Sequence, residues 1–431
     1  MQNLSANLWR KVTGALALAG LVWAAAMSAP SAQAQTYTSI YRFKGGTADG
    51  ENPEAGLIMD KSGNLWGTTV FGPGCLSTAC APLPGMVFKI SATGGETIVH
   101  SFAGAPAGCG TAGNPACDGA SPYGGVVLDP SSNAYGTTNT GGASNMGTVF
   151  KVTASGEKLL HSFAGPPTDG AFPYSGVVLD SSGNLYGATS AGGAANSGAI
   201  FKIEASGTPT LLYSFKGGED GGFPYGGLIR NSAGELFGTT SAGGITTGNC
   251  FPAGCGVVFV VTPTGTEHVL YRFTGSPDGA SPYGGLVVDS SDNLYGTTYN
   301  GGTGPCTNGC GTIFELPKGG TETVLYSFQG YPTDGAFPLA GIVRDSSGDL
   351  YGTTTYGGAS DGGGVFELPA ASPEKLLYSF TGKTDGAIPR AGLIMDSSGN
   401  LYGTTYGGGN TGLACGGEPS DTCGVVFKLK P

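Results

Sequence analysis

The chain has 431 residues, of which 82 are glycine, and carries 19 Lys and Arg against 30 Asp and Glu, for a net charge of -11. That much glycine argues against a helical protein, and the three-residue period of collagen is missing. An acidic chain poor in Lys and Arg lacks the electrostatic footprint of a nucleic-acid binder, and an anionic membrane surface would repel it.

Residues 1–34 read as a signal peptide. Arg10 and Lys11 supply its positive region, Ala15 to Ala29 is an apolar run short of the about 20 residues a membrane span needs, and Ala32-Gln33-Ala34 is a small-residue cleavage site. Cleavage before Gln35 removes two positive charges and takes the net charge to -13. No second hydrophobic span follows, so the mature chain, 35–431, is expected to be soluble, without a membrane span, and secreted or periplasmic.

From there the chain repeats. A Leu-Tyr-Gly-Thr-Thr motif, with variants, places its aromatic residue at Trp66, Tyr135, Tyr186, Phe237, Tyr295, Tyr351 and Tyr402, spaced 69, 51, 51, 58, 56 and 51 residues apart. Each copy carries four short runs in one order, for example Gly285 to Asp289, Asn293 to Thr298, Gly311 to Leu316 and Thr323 to Phe328. They are rich in β-branched and aromatic residues and bounded by Gly, Asp, Asn, Ser and Pro, which is the signature of strands. Seven units of four strands predict an all-β fold, a seven-bladed β-propeller of four-stranded antiparallel blades forming one domain. Thr38 to Phe43 copies the fourth run and the chain stops just after a third run, Gly424 to Leu429, so the N-terminal strand is expected to complete the last blade. That closure removes free sheet edges.

The motif Pro-Tyr-Gly-Gly-Leu-x-x-Asp-Ser-Ser-Gly-Asn-Leu-Tyr-Gly-Thr-Thr, with Gly-x-Val-Phe-Lys downstream, resembles the GloVer tandem-repeat family of exported bacterial proteins over residues 36 to 430. Family members often carry a C-terminal surface anchor, whereas this sequence stops at Lys430-Pro431. The blade pattern also looks like NHL-type propellers. The resemblance implies the fold and transfers no activity.

In an up-and-down blade, the loop between strands two and three and the loop into the next blade share one face. Four cysteine pairs, Cys75-Cys80, Cys250-Cys255, Cys306-Cys310 and Cys415-Cys423, fall in the first kind of loop, and Cys109-Cys117 falls in the second. In an exported chain such close pairs read as disulfides. Variable spacing and no nearby histidine argue against zinc, and no metal or other cofactor is expected. Each bridge closes a short loop and contributes about 2 kcal/mol, so its expected work is to shape loops and resist proteolysis.

Three histidines offer little chemistry. His100 and His161 occupy a strand slot filled elsewhere by Tyr41, Tyr213, Tyr271, Tyr326 and Tyr378, which reads as packing, and His268 has no counterpart. No nucleophile elbow or metal cluster appears. Two aspartate series, Asp49 to Asp385 before glycine and Asp60 to Asp396 at the other face, read as turn caps. The most informative slot follows a repeated proline before the first strand and holds Glu54, Tyr123, Tyr174, Tyr225, Tyr283, Leu339 and Arg390. It should lie near the channel mouth. Four tyrosines flanked by a carboxylate and a guanidinium suit a sugar or peptide, although packing between blades would also explain them.

The expectation is a monomeric, non-catalytic binding module with Glu54, Tyr123, Tyr174, Tyr225, Tyr283 and Arg390 as ligand-binding candidates and a glycan or peptide as partner. The alternatives are a propeller lyase or hydrolase with Glu54 as base and Arg390 as charge stabiliser, or a structural envelope protein.

Overall fold

The computed structural model describes residues 35–46, 49–73, 84–104, 118–250, 252–409 and 423–431. They form seven four-stranded antiparallel sheets arranged as the blades of a propeller. Blade one is Ile58–Met59, Leu65–Thr69, Met86–Ile90 and Glu96–Ser101, from the channel outward. Blades two to six follow at 127–162, 178–214, 229–272, 287–327 and 343–379. Blade seven joins both ends of this region: Ile394–Met395, Leu401–Thr405 and Val425–Lys430 are completed by Thr36–Arg42, which pairs antiparallel with Val425–Lys430. The expected closure is therefore present.

The innermost strand pairs over two residues, shorter than the five-residue run in the sequence. A small residue followed by glycine before it, Gly-Gly in three copies and Ala-Gly or Ser-Gly in the others, explains the difference. Backbones of adjacent blades approach so closely there that a Cβ at Gly124 would lie 2.3 Å from the Gly176 nitrogen. The channel is walled by main chain rather than by side chains.

The apolar core lies between blades. One phenylalanine at the end of each outer strand packs edge-on against a phenylalanine of the third strand of the next blade. Phe43–Phe88, Phe102–Phe150, Phe163–Phe201, Phe215–Phe259, Phe273–Phe314, Phe328–Phe366 and Phe380–Phe427 have ring centroids 4.9 to 5.3 Å apart. Such T-shaped pairs add about 0.5–1.5 kcal/mol beyond the area they bury. The invariant glycine of the Tyr-Gly-Thr motif gives the third-strand ring its room: a Cβ at Gly187 would sit 2.4 Å from the Phe201 ring.

Threonine then ties each blade to the next. The hydroxyls of Thr68, Thr137, Thr239, Thr297, Thr353 and Thr404 donate to carbonyls of Gly124, Ser175, Gly284, Ala340, Ala391 and Ala55, each beside the innermost strand of the following blade. Blade three has Ala188 in this position.

A third link is acidic. Every Asp-Gly aspartate accepts a bond from the tyrosine or histidine of its own outer strand, as Asp49 does from Tyr41 and Asp118 from His100. The packing reading of His100 and His161 was thus incomplete, because both rings are hydrogen-bonded. Against five of these pairs the next blade sets a glutamate: Glu96, Glu157, Glu267, Glu322 and Glu374, each with one buried carboxyl oxygen that no hydrogen bond reaches. The Tyr41 hydroxyl lies 2.9 Å from both Asp49 and Glu96. It has one proton to give, so satisfying both contacts requires one carboxyl to be protonated. Burial first, and the facing aspartate next, push Glu96, Glu157, Glu267 and Glu322 up to about 7 and Glu374 to about 8.

The other aspartate series caps turns. Asp60 accepts from the backbone of Ser62 and Asn64 and from the Asn64 and Trp66 side chains. Against the opposing effect of burial, these bonds hold its carboxyl down at about 2.

Two outcomes follow. Phe201→Ala should lower unfolding free energy by about 3–5 kcal/mol, read by urea denaturation, whereas a loss below about 1 kcal/mol would show that the inter-blade rings are not a principal source of stability. The acids set a pH optimum. Glutamates raised in the folded state contribute stability that is complete below 4.5 and lost as pH rises through about 7, while Asp60, lowered to about 2, contributes above 3.8 and loses that as pH falls. The melting temperature should peak near about pH 5, and Glu→Gln at the five glutamate positions should flatten its decline toward pH 8.

Candidate functional site

Seven small bridges show how the two loop types share a face. Gly170–Ala171, in the loop entering blade three, pairs with Ala191–Gly192, in the loop between that blade's second and third strands. Equivalent pairs recur in all seven blades, for example Glu51 with Phe71 and Ala387 with Gly407. This face carries the channel mouth.

The proline slot is positioned by an unusual backbone. The residue before each proline, Asn52, Ser121, Phe172, Phe223, Ser281, Phe337 or Ile388, has φ between 54° and 57°. For phenylalanine and isoleucine this left-handed conformation is strained, at about 1–3 kcal/mol each. It is held from both sides: the Phe337 N–H donates to the Cys310 carbonyl of the preceding blade, and the Phe337 carbonyl accepts from Thr355. Six of these residues donate back into the loop of the preceding blade. The backbone is pinned before the slot side chain emerges.

Disulfides take part in this pinning. Cys250–Cys255 and Cys306–Cys310 are bonded, and Cys423 is also disulfide-bonded. Cys75, Cys80, Cys109, Cys117 and Cys415 lie outside the described residues. Rather than standing out on the loops, the bridges pack into the inter-blade core, with Cys250 and Cys255 against Phe273 and Leu286. The carbonyls of Cys255, Cys310 and Cys423 accept the N–H groups of Ser281, Phe337 and Asn52, two residues before Tyr283, Leu339 and Glu54.

All seven slot residues line one bowl of about 550 Å³ at the channel mouth. Its floor is the ring of glycine backbone, including Gly125, Gly176, Gly227 and Gly285. Four tyrosines form a continuous arc, with ring centroids 4.8 Å apart for Tyr123–Tyr174 and Tyr174–Tyr225 and 5.3 Å for Tyr225–Tyr283. The arc continues through Tyr299, 5.6 Å from Tyr283, to Phe337. Burial raises all four tyrosine hydroxyls, that of Tyr123 to about 12 with help from Glu54 and Tyr174, so they remain neutral donors and acceptors.

Glu54 and Arg390 meet where blade seven joins blade one. They form an ion pair with each other, and the guanidinium lies 4.0 Å over the Tyr406 ring. Burial raises the Glu54 carboxyl above its ordinary range, with Arg390 opposing. The two charges therefore neutralise one another instead of flanking the tyrosines separately.

Tyr299 and Tyr406 were missed in the sequence, yet the signal was there. The residue after Thr-Thr is Val70, Asn139, Ser190, Ser241, Tyr299, Thr355 or Tyr406, so the two tyrosines are departures from a short or polar slot. The Asp-Gly carboxylates do not reach this bowl, since their oxygens are engaged by outer-strand rings and backbone N–H groups. Among the described residues no group of three or more His, Cys, Asp or Glu could hold a metal ion.

Several solved structures share this architecture. Virginiamycin B lyase from Staphylococcus aureus is 14% identical with a TM-score of 0.54, covering 92% of this chain and 99% of that one. A fungal alcohol oxidase in complex with copper is 13% identical with a TM-score of 0.55, covering 92% and 77%. PorZ, a surface component of the type-IX secretion system of Porphyromonas gingivalis, is 16% identical with a TM-score of 0.50, covering 90% and 47%. At these identities the likeness shows the fold alone. No curated protein sequence matches. The family described as the Gloeobacter/Verrucomicrobia repeat matches residues 85–253 and 244–415, and the chain belongs to it.

Proposed function

We propose that this is an exported, non-catalytic binding propeller that holds a neutral glycan at the tyrosine-lined mouth of its channel. The supporting observation is the arc Tyr123–Tyr174–Tyr225–Tyr283 above a floor of glycine backbone. Tyrosine rings offer apolar faces beside hydroxyls that donate and accept, which is what a sugar ring with its C–H face and rim of hydroxyls requires. Because Glu54 and Arg390 are paired, the bowl offers no uncompensated charge to draw an ionic ligand, and short-range hydrogen bonds are left to select. Pinned backbone keeps the cost of ordering the site low on binding. Disulfides in two described loops fit an oxidising compartment outside the cytoplasm. An extended peptide is the second ligand class that the same rings would accept.

The raised carboxyl of Glu54 within the bowl is the observation that favours an enzyme, since burial that holds a carboxyl above its ordinary range suits it to proton transfer. Its partner Arg390 occupies it, so a binding role accounts for the geometry with fewer changes.

Screening the protein lacking residues 1–34 against glycan and peptide arrays tests the proposal. A glycan signal is expected, with Tyr174→Ala weakening it by about 10- to 100-fold, the loss of one stacked aromatic contact. Glu54→Gln should change affinity by less than about tenfold and leave no turnover to lose, whereas an enzyme would lose turnover by about 100-fold or more. No ligand in either array, or binding indifferent to Tyr174, would overturn the reading.

A further inference from the structure

The seven blade junctions serve as internal controls for one another. At each, an aspartate of the entering loop holds the tyrosine or histidine of the preceding outer strand, and one equivalent position at or next to the start of the next outer strand lies against that pair. The register fixes this position: Glu96 pairs with Ile90, Glu157 with Val152 and Glu267 with Val261. In blade seven the equivalent residue is Tyr37, opposite Leu429, whose ring stacks on Tyr378 at 4.4 Å. Five junctions are thus filled by a glutamate and one by a tyrosine. In blade three the position is Pro209, opposite Ile203. Proline is tolerated at the start of an edge strand, but it has no carboxyl to extend across the junction.

The consequence is a cavity of about 270 Å³ between blades two and three, lined by His161, Asp169, Phe201, Pro209 and Leu211 among others. Its polar end is a His161–Asp169 pair, with Nε2 and Oδ2 3.0 Å apart. The aspartate is held as at every other junction, by the backbone N–H of Ala164. Phe201, Pro209 and Leu211 give it an apolar wall, and Thr168 and Thr210 complete the lining. The size lies just under the roughly 300–1,000 Å³ of sites for drug-sized ligands.

We propose that this junction binds a small aliphatic carboxylic acid from solution. The carboxyl takes the place that glutamate fills elsewhere, facing His161 and Asp169, and the short alkyl chain packs on Phe201, Pro209 and Leu211. The junction one step earlier shows that such a frame accepts a carboxyl: Glu157 faces the corresponding pair, His100 and Asp118, which are also 3.0 Å apart. The site lies at the blade boundary and does not depend on the glycan reading of the channel mouth.

Sodium propionate is the probe, with propionamide as its uncharged isostere. The chain has three histidines, so a protein carrying 13C-labelled histidine reports each ring separately, with His100 in its filled junction as the control. Propionate should shift the His161 resonances saturably at about 1–10 mM, as expected for a ligand of five heavy atoms, without shifting His100 or His268. Because burial and the facing aspartate favour the neutral form of a carboxyl in this frame, as at Glu157, propionate should bind at least about tenfold more tightly at about pH 5 than at about pH 7. Propionamide, which has no acid proton to gain, should show no such change. Pro209→Glu, which restores the missing side chain, should abolish the His161 response, while Pro209→Ala should keep it. A His161 ring that does not respond, or moves in parallel with His100, overturns the proposal. So does a propionate response that survives in Pro209→Glu or disappears in Pro209→Ala.

Discussion

A phenylalanine that leans across a blade boundary onto the phenylalanine of the next blade is the contact on which the rest of this molecule depends. A single four-stranded sheet with two apolar faces cannot bury them alone. Here each boundary is closed by the same edge-on pair, and Phe43 on Phe88 carries the arrangement across the seam between blade seven and blade one. Since Thr36–Arg42 belongs to blade seven and continues into the connection that enters blade one, sheet pairing and ring packing close the circle together. The glycine of each Tyr-Gly-Thr motif follows from this contact, because a side chain there would occupy the space of the ring.

Once the circle is closed, a repeated residue becomes a ring of residues. Threonine gives inter-blade hydrogen bonds at six of the seven junctions, the glycine before each innermost strand lets backbone wall the channel, and the strained residue before proline gives a ring of pinned slots. A ring of identical residues would present a symmetric mouth. Asymmetry enters where the copies differ: Glu54 and Arg390 at the seam, Leu339 beside them, and Tyr299 and Tyr406 in the slot after Thr-Thr. The same logic applies at the rim, where Pro209 in place of glutamate leaves an open junction.

Much of this was legible in the chain. Seven copies at near-constant spacing, four strand-like runs in each and an N-terminal copy of the fourth run were enough for the fold and its closure. Reading the proline slot as one ring placed Tyr123, Tyr174, Tyr225, Tyr283, Glu54 and Arg390 around the mouth. What escaped was contact between copies. Glu54 and Arg390 are 336 positions apart and pair only because the circle closes. The glutamate at the start of the outer strand looks like an ordinary exposed charge in one copy, and the upward shift of its half-buried carboxyl comes from burial against the preceding copy and from the aspartate that copy contributes. The bridged cysteines looked like loop staples, yet the carbonyls of Cys255 and Cys310 hold the backbone that leads to the slot.

The claim at the centre of this account is that residues constant in every copy make the ring, while the slot that varies from copy to copy makes the site. Its most direct test is the glycan-array profile of a protein carrying Glu54→Tyr, Leu339→Tyr and Arg390→Tyr together, which returns the slot to the tyrosine found in four blades. The account predicts an unchanged far-ultraviolet spectrum, cooperative unfolding, and loss or replacement of the glycan profile. A folded triple variant with the original profile would contradict it.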